Sequence, residues 1–117
     1  MKKLFVTLVL LLSVTVSAQQ ELDQKIRTGS DYKKELSVLK LTLDQEPQYF
    51  QIVKKYIVLN YDLQELNIPS TEVKKREDVL EEKKCDELKN ILSLEQLASY
   101  KKLSTERITA DRAKKRY

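Results

Sequence analysis

Residues 49–66 read Tyr-Phe-Gln-Ile-Val-Lys-Lys-Tyr-Ile-Val-Leu-Asn-Tyr-Asp-Leu-Gln-Glu-Leu. Tyr49, Ile52, Tyr56, Leu59, Leu63 and Leu66 recur in steps of three and four. That period belongs to one face of an α-helix. Phe50, Val53 and Ile57 lay a second stripe beside the first. The apolar face is therefore wider than a two-helix seam requires. Such a face either meets two neighbours or stays partly open for a partner. Strand-type alternation is absent beyond the first residues. With Gly29 the single glycine, Pro47 and Pro69 the prolines and 34% of residues charged, the chain reads as all-helical.

Working outward, Asn67-Ile68-Pro69-Ser70 ends this helix, because proline forces the chain out of helical hydrogen bonding. A third helix is expected from Ser70 or Thr71 to Leu92, thinly striped by Val73, Val79, Leu80, Leu88, Ile91 and Leu92. Its charged runs imply a mostly solvated surface. Upstream, Thr28-Gly29-Ser30 is a break. Ser30 or Asp31 can cap a first helix reaching about Lys40, with Tyr32, Leu36, Leu39 and Leu43 on one face. A fourth helix starts at Ser93, its apolar side formed by Leu94, Leu97, Ala98, Tyr100 and Leu103.

The start of that fourth helix carries a motif. In Leu92-Ser93-Leu94-Glu95-Gln96-Leu97, Ser93 at the N-cap and Gln96 three residues on form a capping box. Leu92 and Leu97 complete a hydrophobic staple, and Glu95 suits the positive end of the helix dipole. Leu41-Thr42-Leu43-Asp44-Gln45 repeats the plan upstream, with Thr42 as cap and Gln45 at the third position. Here Glu46 stands where the staple residue would be, and Pro47 offers a rival helix start. Either way, 41–50 is a helix junction.

The ends differ from the middle. Lys2 and Lys3, the apolar run Leu4–Val16 and the small residues Val16-Ser17-Ala18 have the layout of a secretory signal peptide. Cleavage after Ala18 would leave no membrane anchor and 20 basic against 18 acidic residues. That balance, and export itself, argue against a nucleic-acid binder. Residues 97–117 hold seven basic residues and two acidic ones. The expected organisation is a signal peptide at 1–18, a flexible segment at 19–30, a helical domain at 31–112 and a basic tail at 113–117.

Catalytic chemistry finds no foothold. The chain has no histidine, which removes histidine metal sites, Ser/His/Asp triads and Cys/His pairs. Cys85 is the single cysteine, so no internal disulfide can form. No glycine-rich phosphate loop and no calcium-loop pattern occur. The reading is a non-enzyme without cofactor or metal.

The paired motifs, each ahead of an apolar helix on an exported helical chain, resemble the Leu-Thr-x-x-Gln (LTXXQ) family of periplasmic proteins, the Spy/CpxP type. The likeness runs over about residues 31–105 and includes Leu41, Thr42, Gln45, Leu92, Ser93 and Gln96, with Ser93 in place of threonine. The resemblance implies a thin, curved four-helix protomer paired antiparallel as a cradle-shaped homodimer in the periplasm. It implies an ATP-independent chaperone holding unfolded or aggregating envelope proteins, or a regulator docking on the periplasmic part of an envelope-stress sensor kinase. A helical envelope protein without chaperone activity is the third reading. Relatives linked to zinc tolerance are a poor guide here, since histidine is missing. The motif residues are read as structural. The candidate client or partner surface is Tyr49, Phe50, Ile52, Val53, Lys54, Lys55, Tyr56 and Ile57, joined by Lys101, Lys102 and Arg107 of the last helix.

Overall fold

The computed structural model describes residues 18–115. The proposed signal peptide lies outside them, apart from Ala18, as do the last two residues of the basic tail. The described chain is all-helical: α1 over residues 18–28, α2 Ser30–Leu39, α3 Gln45–Gln64, α4 Ser70–Leu88 and α5 Leu94–Lys115. It divides into two compact units between Lys34 and Glu35.

In the first unit, residues 19–28 are helical rather than irregular. Their Gln, Glu, Lys and Arg are good helix formers, and Ile26 is buried. The expected break falls at Gly29. Its N–H donates to the Ile26 carbonyl at 3.1 Å, and its carbonyl accepts from Lys33 N–H at 3.2 Å. Gly29, not Ser30 or Asp31, thus stands at the start of α2. A methyl group at Gly29 would lie 3.3 Å from the carbonyl oxygens of Lys25 and Ile26, so the smallest residue suits this tight junction.

The second unit holds the end of α2 and all of α3, α4 and α5. Helix α2 stops at Leu39, where Lys40 takes a left-handed φ of 52° while donating to the Leu36 carbonyl at 3.2 Å. That conformation crowds a β-carbon and costs a lysine about 1 kcal/mol. The stop corrects one expectation. Leu43 does not continue the Tyr32–Leu36–Leu39 face and is 94% exposed, because the helix has already ended.

Helix α3 ends at Gln64, and Pro69, extended at ψ 148°, precedes α4. The Pro69 carbonyl accepts from Val73 N–H at 3.0 Å, which starts the new helix. Helices α3 and α4 form the main hairpin. α4 stops at Leu88, earlier than the expected Leu92. The chain then unwinds in tight turns, with Asn90 N–H on the Glu87 carbonyl and Ile91 N–H on the Leu88 carbonyl. This frees Leu92 to enter the core ahead of the next helix start. α5 runs to Lys115, so 113–115 extend the helix instead of forming a separate tail. The core of this unit gathers Tyr49, Phe50, Leu88 and Tyr100, each essentially without solvent contact. The Tyr49 and Tyr100 rings meet edge to face at 6.5 Å and 77°.

Candidate interaction surface and the core beneath it

Both capping boxes close. Thr42 N–H donates to Gln45 Oε1 at 3.0 Å, and Gln45 N–H donates to Thr42 Oγ1 at 3.2 Å. Ser93 N–H donates to Gln96 Oε1 at 3.0 Å, and Gln96 N–H donates to Ser93 Oγ at 3.1 Å. Pro47 does not displace the upstream start: Glu46 N–H still bonds the Thr42 carbonyl at 3.1 Å.

The two boxes also hold each other. Gln45 Nε2 donates to Gln96 Oε1 at 2.8 Å, and Gln96 Nε2 donates to Gln45 Oε1 at 3.0 Å. The second hydrogen of each amide is used as well. Gln45 reaches the Ile91 carbonyl at 2.9 Å, and Gln96 reaches the Leu39 carbonyl at 3.1 Å. Each amide thereby fills both its donors and both its acceptor positions. The motifs are one joint, tying the start of each of α3 and α5 to the chain just before the other.

The eleven candidate surface residues do not form one surface. Tyr49, Phe50, Val53 and Tyr56 are buried within the single chain. Ile52 and Lys54 are half-buried. Lys55 is exposed and donates to Glu87 Oε1 of α4 at 2.8 Å. Ile57 is 40% exposed. Lys101 and Lys102 are exposed on α5, whereas Arg107 is half-buried and lies 3.5 Å from the buried Glu35.

The open apolar surface therefore sits further along α3 than the sequence reading placed it. Val58, Leu59, Tyr61 and Leu66 are exposed, Tyr61 by 67%, with Val79 exposed on α4. By helical spacing, Ile57 and Tyr61 form one row, while Ile52, Leu59 and Leu66 form another seven residues apart. The rows flank the buried stripe on its two sides. The width of the apolar face was legible; which parts of it lie open depends on tertiary packing.

Beneath the face lies a polar cluster that sequence reasoning missed. The Tyr49 hydroxyl donates to Glu35 Oε1. Glu81 Oε1 accepts from the Tyr100 hydroxyl at 2.8 Å and from Ser104 Oγ at 2.6 Å. Lys84, 7% exposed, sets its ammonium 5.0 Å from the centre of the Tyr100 ring. Two carboxylates and two cations thus balance inside the unit. A faint signal existed for Lys84. It lies four residues after Leu80 and four before Leu88, on the inward row of α4.

Burial shapes the acidity of these groups. Desolvation, then the nearby Glu35 charge, raises the Tyr49 hydroxyl far above its ordinary value. Desolvation, then Glu81, raises Tyr100 likewise. Burial lowers Lys84 against the opposing pull of Glu35 and Glu81. Burial, followed by hydrogen bonding to Glu87, pushes Tyr56 up to about 12. Hydrogen bonds from Lys55 and then Tyr56 lower the Glu87 carboxyl. The half-buried Cys85 thiol is raised by burial and by Glu81, which suppresses the reactive thiolate.

Among the described residues no cluster of three potential ligands could hold a metal ion, and no helix is long and apolar enough to cross a membrane. The chain matches no family model, no curated protein and no solved structure.

Proposed function

We propose that this chain is an exported, ATP-independent holdase of the Spy/CpxP kind, which binds unfolded envelope proteins in the periplasm. The observation that carries the reading is the set of large apolar side chains left open along the far part of α3 and just past its end: Ile57, Val58, Leu59, Tyr61 and Leu66. Lys54 and Lys55 stand beside them. A shallow surface of this composition binds many apolar segments weakly, with charge guiding the approach. Pairing of two copies, as the resemblance implies, belongs to the same proposal. The joined Leu-Thr-x-x-Gln and Leu-Ser-x-x-Gln units support the reading only through that resemblance; they are structural and touch no client. The test is suppression of aggregation of an unrelated unfolding protein, without ATP, by the purified chain. Suppression at a few-fold molar excess, lost in Ile57→Ser/Tyr61→Ser, is the expected result. No suppression at that ratio sinks the proposal.

A second reading, docking on an acidic sensor surface, is favoured by the exposed Lys101 and Lys102 on α5. The two separate by salt. A charge-led contact weakens steeply with ionic strength, and apolar holding does not.

A further inference from the structure

The α3 face is apolar along its whole length; its central stripe is buried throughout, Leu63 included, and its flanks are open only in the far half, at Ile57, Leu59 and Tyr61. The near half, around Tyr49, Phe50 and Val53, is sealed. At Tyr49 the seal includes a buried carboxylate from the end of α2. Glu35 accepts the Tyr49 hydroxyl, and its other oxygen lies 3.5 Å from Arg107. A few residues later the Leu39 carbonyl accepts from Gln96. Together with the buried Leu39 side chain, these ties join segment 35–40 to α3 and α5, and the polar ones are contacts that another chain could reproduce.

The end of the segment is strained. Lys40 holds a left-handed backbone that lysine disfavours, and release would relieve it. Removing Glu35 would change the local balance as well. Glu35 and Glu81 face Lys84 and Arg107; without Glu35 one positive charge is left in excess beside the aromatic rings. The uncovered half would then have the chemistry of the open half, apolar with a cationic edge.

We propose that segment 35–40 is a built-in substitute for a client, with the Glu35 carboxylate filling a place that a client's own acidic side chain can take. An extended client segment carrying a carboxylate next to large apolar residues displaces it and gains the sealed half of α3 in addition to the open half. The client class rests on the holdase reading, and the displacement itself does not. The open half captures apolar segments first; the sealed half then selects those that also bear an acid.

The probe is a synthetic peptide alternating leucine and glutamate, with a control in which glutamine replaces glutamate. Binding is measured by fluorescence anisotropy to the full chain and to Glu35→Gln, with circular dichroism checking the fold. Glu35→Gln is expected to bind the acidic peptide at least fivefold tighter than the parent chain and to leave control binding within twofold. Adding Arg107→Gln should abolish the gain. Equal affinity of folded Glu35→Gln and parent for the acidic peptide overturns the proposal. Should Glu35→Gln fail to fold, hydrogen exchange on the parent decides. The Lys40 amide, bonded to the Leu36 carbonyl, should exchange at least tenfold faster than the α3 amides, and faster again with acidic peptide present. Exchange at the α3 rate, unchanged by peptide, overturns it. Aggregation suppression by the parent with no gain from Glu35→Gln defeats the displaceable segment alone. A gain from Glu35→Gln with no suppression by the parent defeats the holdase reading alone.

Discussion

The two halves of α3 carry the same pattern and meet different fates. Tyr49, Phe50, Val53 and Tyr56 are sealed, while Ile57, Val58, Leu59 and Tyr61 reach solvent within the next five residues. Helical phase accounts for part of the difference: Tyr49, Val53, Tyr56 and Leu63 share the buried central stripe, while Ile57, Leu59 and Tyr61 flank it. The near half lies at the joint of the two capping boxes, where α5 and the end of α2 converge on it. The far half has α4 as its main neighbour, and a single helix cannot cover so wide a face. An apolar stripe therefore says where a helix can be buried, not where it is.

The largest break in this contrast comes from truncation. Phe50→Ala should cost about 3–5 kcal/mol, as expected for a fully buried aromatic. Leu59→Ala, at 38% exposed, should cost about 1 kcal/mol or less. Urea unfolding of both variants checks the difference; similar costs would mean the far half is also covered in solution.

Next comes the joint. Gln96→Ala removes one amide and strands the hydrogen-bonding groups of Gln45. A loss of about 2 kcal/mol follows from leaving part-buried polar groups unpaired. Gln45→Ala should cost a similar amount, and the double variant clearly less than the sum, because the second substitution removes bonds already broken. Additive costs in a double-mutant cycle would argue that the amides act separately.

A smaller effect is expected at Lys40. Glycine relieves the left-handed strain but loosens the unfolded chain, so Lys40→Gly should gain at most about 1 kcal/mol. A loss in thermal unfolding would show that the lysine side chain contributes more than its backbone costs. Acid gives the smallest effect. The Glu87 carboxyl is lowered in the folded chain, so its stabilisation is present above the ordinary glutamate range and fades as pH falls through the lowered value. The Lys55–Glu87 pair is exposed, which limits that loss to under about 1 kcal/mol. Comparing the parent with Glu87→Gln over pH 3 to 6 would isolate it.

Much of this architecture could be read from the chain. The break at Gly29, the proline exit at Pro69 and the capped start at Ser93 depend on local chemistry, and each occurs where local chemistry puts it. Helix ends were less legible. α4 unwinds after Leu88 because Leu92 is drawn into the core, a tertiary effect acting on residues that would otherwise extend the helix. The interlocking of Gln45 with Gln96 was hidden for a similar reason. Each glutamine is fully explained by its own capping box, and only the meeting of two helix starts reveals its second role. From the sequence, Arg107 counts among the candidate surface residues, and Lys84 falls in a charged run that implies a solvated face. Their burial becomes intelligible only once Glu35 of α2 and Glu81 of α4 are brought together with them inside the unit.

The joint has one further property, visible in its inventory of atoms. It is electroneutral: amides, hydroxyls and backbone carbonyls, with nothing that ionises and no charge for salt to screen. Changes in acidity or ionic strength that loosen Lys55–Glu87 or Arg112–Asp78 leave it as it is. The same inventory limits replacement. Serine and threonine interchange freely as caps, as Thr42 and Ser93 show. Glutamate cannot replace either glutamine, because an ionised carboxylate has no hydrogen to return to its partner.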